Sequence, residues 1–136
     1  MSLLNIFNIA GSAMIAQSKK MNVIASNLAN MDSIVHKNGK FYPYVAQQVI
    51  FKLDPIENSK IGGVKISNII DNPSPMNLVY DPNNPMANHK GYILTSNVNP
   101  ITETINNISA ARSYQANIEV LKTAKSMISK TLTIIE

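Results

Sequence analysis

The chain of 136 residues contains no cysteine and no tryptophan. Without cysteine there is no disulfide framework, no thiolate metal site and no thiol nucleophile, and the chain tolerates a reducing or an oxidising compartment equally. Charge is sparse: 12 basic residues oppose 8 acidic ones, and Arg112 is the sole arginine. The lysines are scattered from Lys19 to Lys130 with only Lys19-Lys20 adjacent. A nucleic-acid binder carries a basic stripe with arginine and interleaved aromatics, so no nucleic-acid partner is expected. No apolar run approaches the roughly 20 residues that span a bilayer, so no membrane insertion is expected either. The opening Met1-Ser2-Leu3-Leu4-Asn5 lacks a basic stretch, and its apolar residues are interrupted by Asn5 and Asn8. The first lysines, Lys19 and Lys20, come after the apolar stretch, the reverse of the order in a cleavable secretory signal. A length of this size suits one small domain with a limited core, and argues against an elaborate active site.

The residues that carry chemistry are few. His36 and His89 both lie in polar, turn-like sequence without the spacing that puts two ligands on one helix face, and a solvated surface position is expected for each. The acidic residues are dispersed, with no local pair to serve as acid and base. Asp81, Asn83 and Asn84 begin like a calcium loop, but the sixth place is Met86 instead of glycine and the twelfth is Tyr92 instead of glutamate, so a proline-braced loop is expected. There is no phosphate-cradling glycine loop, and Asn107-Ile108-Ser109 is a glycosylation sequon of the kind that arises by chance. No catalytic residue, cofactor or metal is assigned.

Three segments differ in texture. Residues 1–31 have no proline, and Leu3, Phe7, Ala10, Met14, Gln17, Met21, Ile24 and Leu28 alternate spacings of four and three, a heptad seam broken at Gln17. The helix it describes is about 45 Å long, too long to find all its partner surface in a compact domain this small. Within it Ala10-Gly11-Ser12-Ala13 is a small-residue patch that lets another helix approach closely. Residues 99–136 read as a second helix: Asn99 caps, Pro100 suits the first position, and Glu103 places negative charge in the first turns. Its stripes run through Ile101, Ile105 and Ile108, then Tyr114, Ile118, Leu121, Lys125, Ile128, Leu132 and Ile135. Residues 32–98 hold six of seven prolines and four of five glycines. Val49 to Leu53, Val64 to Ile70, Leu78-Val79-Tyr80 and Tyr92-Ile93-Leu94 are strand candidates. The expected fold is mainly α: long terminal helices forming a coiled-coil-like core, with a small irregular β-containing insert.

The two stripes have a simple reading, an internal helical hairpin, and a sharper one, packing between molecules. Ile6, Ile9, Ile15 and Val23 in the first helix, with Val120 and Ile134 in the second, lie outside the seams and widen the apolar arc beyond what one hairpin covers. A self-contained helical module that binds a partner protein or nucleic acid is one alternative. Another is an enzyme whose site is assembled in space, as by His89 with Asp81.

Ala25-Ser26-Asn27-Leu28-Ala29-Asn30 resembles the Asn- and Ala-rich motif near the N-terminus of the flagellar rod and hook proteins. Ser113-Tyr114-Gln115-Ala116-Asn117, followed by Val120-Leu121-Lys122-Thr123, resembles their C-terminal signature. Within that family, Ser2-Leu3-Leu4-Asn5-Ile6-Phe7, Gly62-Gly63-Val64-Lys65, Leu78 to Pro85 and Gly91-Tyr92 look like the proximal-rod branch, and the similarity covers essentially the whole chain. Met31-Asp32-Ser33-Ile34 lacks the Thr-x-Gly-aromatic continuation of hook and distal-rod relatives. Ser96-Asn97-Val98-Asn99 replaces that branch's usual Pro-Asn-Val-Asp, so the lead-in to the last helix is expected to be less rigid.

The resemblance implies a structural subunit of the flagellar basal-body rod, exported without a cleavable signal through the flagellar export apparatus. It would assemble in the periplasm with copies of itself, with other rod subunits and with neighbouring basal-body components. The expected assembly interface comprises Leu3, Phe7, Ala10, Met14, Met21, Ile24, Asn27, Leu28 and Asn30 in the first helix. In the second it comprises Arg112, Tyr114, Asn117, Ile118, Leu121, Ile128, Leu132 and Ile135. Asn27 with Asn30, and Tyr114 with Asn117, each lie three apart on one helix face and are expected to hydrogen-bond across to a neighbouring helix. Arg112 is expected to meet a carboxylate or a helix C-terminus on an adjacent subunit.

Overall fold

The proline-free first segment folds as helix α1 (Leu3–Asn30), and the last as helix α2 (Pro100–Ile135). These are seen in a computed structural model that describes residues 3–37, 39–56 and 62–135. The helices fold back on each other as an antiparallel hairpin. Near one end the Asn27 amide reaches Glu103; near the other, Ile6 lines the same small cavity as Val120, Thr123, Ala124 and Met127. At that offset Leu3 lies level with Met127. The stretch 128–135 therefore runs on for about 12 Å with no described residue of α1 beside it.

Between the helices lie three antiparallel two-stranded ribbons: β1 (Ile34–Lys37) with β2 (Lys40–Pro43), β3 (Gln47–Pro55) with β4 (Gly62–Asp71), and β5 (Asn77–Tyr80) with β6 (Tyr92–Thr95). Half of the described chain is helical and 28 % is strand, so "mainly α" holds roughly while the strands of the insert are substantial. The β1–β2 ribbon was not anticipated. Its sequence signal is Asn38-Gly39 between two apolar-aromatic runs, a strong short-range hairpin mark, with Gly39 at φ 74°. Four-residue strands with a tyrosine or histidine facing solvent gave too little alternation to register.

The long β3–β4 ribbon lies along α1. Its register breaks between Ile50 and Phe51, where Ser67 is the extra residue on β4. Such a bulge increases the local twist and lets a ribbon curve around a helix. The contact is made at Ser12, whose Oγ accepts a hydrogen bond from Val64 N (3.0 Å) and donates one to Ile9 O (2.8 Å). Gly63 lies against that hydroxyl, and a Cβ there would collide with Ser12 Oγ. The small-residue patch thus admits a strand at Ser12 as well as a helix at the buried Ala10, while nothing lies within 4 Å of a Cβ built on Gly11. Further along, Lys20 Nζ sits 6.0 Å above the Phe51 ring.

The buried apolar set is short: Ala10, Ala16, Val23, Ile24, Ala46, Val98, Ala110 and Ala124. Half of these are alanines in the two helices, which is how the helix axes come close without large side chains between them. The stems of the ribbons are drawn together by Asn97. Its Oδ1 accepts from Ala46 N (2.8 Å), and its Nδ2 donates to Ser74 O (2.9 Å) and Asn72 O (3.2 Å). Ser96 is buried and its Oγ accepts from Val98 N; Asn99 Oδ1 then caps α2 by accepting from the amides of Ile101 and Thr102. The lead-in to α2 lacks the proline and is held by these bonds instead. Hydrogen bonds to Asn and Ser side chains replace the ring's restraint on φ.

The loop from Asp81 to Gly91 joins β5 to β6 and is held by its asparagines. Asn84 Oδ1 accepts from Met86 N, and Asn88 Oδ1 from the amides of Lys90 and Tyr92. Gly91 takes φ 78° beneath the Tyr80 ring, whose nearest atom would lie 2.9 Å from a Cβ, and Tyr80 meets Tyr92 edge-to-face at 5.2 Å. His36 and His89 are both exposed.

Candidate assembly surface

Where α1 ends and α2 begins, a polar cluster is built around Asn27, which is 1 % exposed. Asn27 Nδ2 donates to Gln47 O (2.8 Å) and to Glu103 Oε2 (3.1 Å), and its Oδ1 accepts from Gln47 N (2.9 Å) and Tyr44 OH (3.0 Å). All four hydrogen-bonding positions of the amide are filled, which is what permits its burial. Burial, followed by the nearby carboxylates of Asp71 and Glu103, pushes the Tyr44 phenol above its ordinary value. The arrangement is a structural joint among α1, α2 and β3. Among the described residues no cluster of histidine and acidic side chains fit for a metal is present.

The outer surface is of another kind. Ile101, Ile105 and Ile108, spaced four and three along the first turns of α2, are 72 %, 61 % and 51 % exposed. They lie on the side of α2 away from the buried Ala110 and Ala124. Arg112, one further turn along the same stripe, is exposed, and it takes part in no ion pair among the described residues, where the pairs are Lys65–Asp54 and Lys122–Glu119. At the far end Leu132 and Ile134 are 61 % and 83 % exposed on the stretch that outruns α1. Ile15 on α1, Val120 and Met127 on α2, and Ile50, Leu53, Ile69 and Ile70 on the long ribbon are exposed as well. Of these, Ile101, Ile105 and Ile108 share one face of one helix, and it is apolar side chains grouped in this way, more than scattered ones, that mark an interaction surface.

The expected interface residues therefore divide. Ala10, Ile24 and Asn27 are buried inside the protomer, because α2 folds back over the α1 seam, and they are not available to a neighbour. Phe7, Met14, Met21 and Leu28 on α1, and Tyr114, Asn117, Ile118, Leu121 and Ile128 on α2, are half-buried. Leu132 and Arg112 are exposed; the side chains of Leu3 and Ile135 fall outside the described residues. The asparagines expected to bridge subunits bond within their own chain. Asn30 Nδ2 donates to Ser26 O (2.9 Å), Asn117 Nδ2 to Ser113 O (2.8 Å), and Asn27 is saturated. Ser12, Gly63 and Asn97 stand in segments notable in the sequence, but the sequence does not reveal their bonds, nor Tyr44, Gln47 and the bond from Asn27 to Glu103. Their partners lie 17 to 76 residues away, beyond the reach of any local pattern.

Two long antiparallel helices with aliphatic side chains exposed on the outer side of α2 suit a structural, assembly-forming protein. The comparisons make this particular. Residues 7–33 match the family described as flagella basal body rod protein, and residues 89–134 match the C-terminal family of flagellar basal body rod FlgEFG proteins. The chain is 83 % identical, over the full length of both, to the flagellar basal-body rod protein FlgC of Buchnera aphidicola from Acyrthosiphon pisum. It is 72 % identical to that of the Schizaphis graminum strain and 54 % identical to that of Salmonella typhimurium, over 98 % of each chain in both cases. The chain belongs to the FlgC family of flagellar basal-body rod proteins, and so to the structural, non-enzymatic components of the rod.

Proposed function

We propose that this rod subunit assembles through the outward faces of its terminal helices, packing against copies of itself and other rod subunits to form the proximal part of the shaft around the export channel. The observation that carries the reading is the Ile101–Ile105–Ile108 stripe, more than half exposed at each position. Covering such a stripe with a neighbouring helix gains roughly 1–2 kcal/mol per side chain. Contacts of this kind that repeat head to tail without closing generate a helical polymer. Arg112, at the end of the stripe, is placed to meet a carboxylate or a helix C-terminus on the next subunit. The subunit reaches the periplasm, unfolded, through the flagellar export apparatus. Among the described residues no helix is long and apolar enough to cross a membrane. The ribbons face other basal-body components.

The test is substitution of Ile101 and Ile108 together by serine. The isolated chain should keep its unfolding free energy within about 0.5 kcal/mol, since exposed positions contribute little. Cells should nevertheless lose motility, and the subunit should be absent from purified basal bodies. Normal swimming with this variant in the rod would exclude the stripe as an assembly contact.

A further inference from the structure

The apolar seam between the helices is nearly degenerate. Phe7, Met14, Met21 and Leu28 recur every seven residues on α1. Opposite them on α2, Ala110, Asn117 and Ala124 recur every seven, as do Tyr114, Leu121 and Ile128. Sliding α2 by one heptad exchanges alanine for asparagine or alanine, and one large side chain for another. The greasy contacts alone therefore discriminate weakly between the observed pairing and a slipped one. Asn27 is different, being the largest side chain buried outright among the described residues. A slip of seven residues takes Glu103 away from it and strands a buried amide, and shifting α1 against β3 strands the backbone N–H and C=O of Gln47 and the Tyr44 hydroxyl. Asn27 flanks the heptad seam between Ile24 and Leu28, and a buried polar side chain at a helix contact fixes register at some cost in stability, as a single asparagine within such a seam does.

We infer that Asn27 is the residue that sets the register of the helical hairpin, and with it the position of the outer face of α2 relative to α1 and the long ribbon. The register decides how far the stretch 128–135 projects beyond α1 and at what height Ile101, Ile105, Ile108 and Arg112 are presented. The fixed register is a property of the single chain. Its test needs no rod, so its failure is distinguishable from failure of the assembly reading.

Because the chain has no cysteine, engineered pairs report the pairing cleanly. The full chain carries either Ile6→Cys with Ala124→Cys, which matches the observed register, or Ile6→Cys with Asn117→Cys, which matches a slip of one heptad. With Asn27 present, only the first pair should cross-link on mild oxidation. Asn27→Leu should lower its yield and bring the slipped pair from absent to comparable yield. Asn27→Asp, which sets two carboxylates against each other, should do the same, and adding Glu103→Gln restores a donor across that bond and should return the native pair alone. If Asn27→Leu does not fold, the comparison of Asn27→Asp with and without Glu103→Gln decides, rescue supporting the inference. Exclusive native cross-linking in both Asn27 variants, or loss of the native pair that Glu103→Gln does not rescue, would overturn it.

Discussion

Replacing Gly63 by alanine tests the seating of the ribbon on α1. Gly63 has no left-handed φ, so the effect is one of space alone. The added Cβ would collide with Ser12 Oγ and lie 3.1 Å from Ser12 Cβ and 3.7 Å from Asn8 O. The nearest atom is a rotatable hydroxyl, which can swing away, but only by abandoning the bonds to Val64 N and Ile9 O. That sets a lower cost of about 1 kcal/mol, the worth of one internal hydrogen bond. If the ribbon lifts instead, Ala16 and Val23 beneath it regain water and the cost rises to about 3 kcal/mol. Ser12→Ala alone should cost about 1 kcal/mol, because Val64 N loses its acceptor. In the double variant the hydroxyl that both effects share is gone, so the two costs should not add. Urea unfolding of all four chains measures this, and the double variant should be no less stable than Gly63→Ala alone. Strict additivity, or a Gly63→Ala chain as stable as the parent, would show that the strand does not sit on Ser12 as described.

Three further outcomes follow from the same structure. The Tyr44 phenol is held neutral by burial and by Asp71 and Glu103, so its folded-state value lies above the unfolded one. Its contribution to stability is therefore whole below about pH 10 and is lost as the pH rises through the raised value. The urea midpoint of the parent should exceed that of Tyr44→Phe at pH 8, and the difference should vanish at higher pH; a gap independent of pH would contradict the sign. Circular dichroism of the chain should show helicity that increases with protein concentration, because the stretch 128–135 gains a partner only on association; full helicity in dilute solution would refute this. His89→Ala should leave motility intact, since His89 is exposed and sits in a loop held by asparagines; a non-motile variant would revive a chemical role.

The sequence by itself determined the two helices, since each carries a seam of period 3.5, proline stands only at the first position of α2, and Asn99 announces its start. It also determined the longer strands, where β-branched residues cluster, and the family, because both terminal motifs stand in order along one chain. What it left undecided was which faces are satisfied at home. Leu28 and Ile101 look equally apolar in sequence, yet the first lies half-buried beside α2 and the second faces water. Asn27 reads like Asn30 and Asn117, yet only Asn27 is enclosed on every side. The tertiary structure decided these points because burial depends on which segments come together across the chain. The bond from Asn27 to Glu103 joins residues 76 apart, and periodicity records only what each helix presents to its own axis.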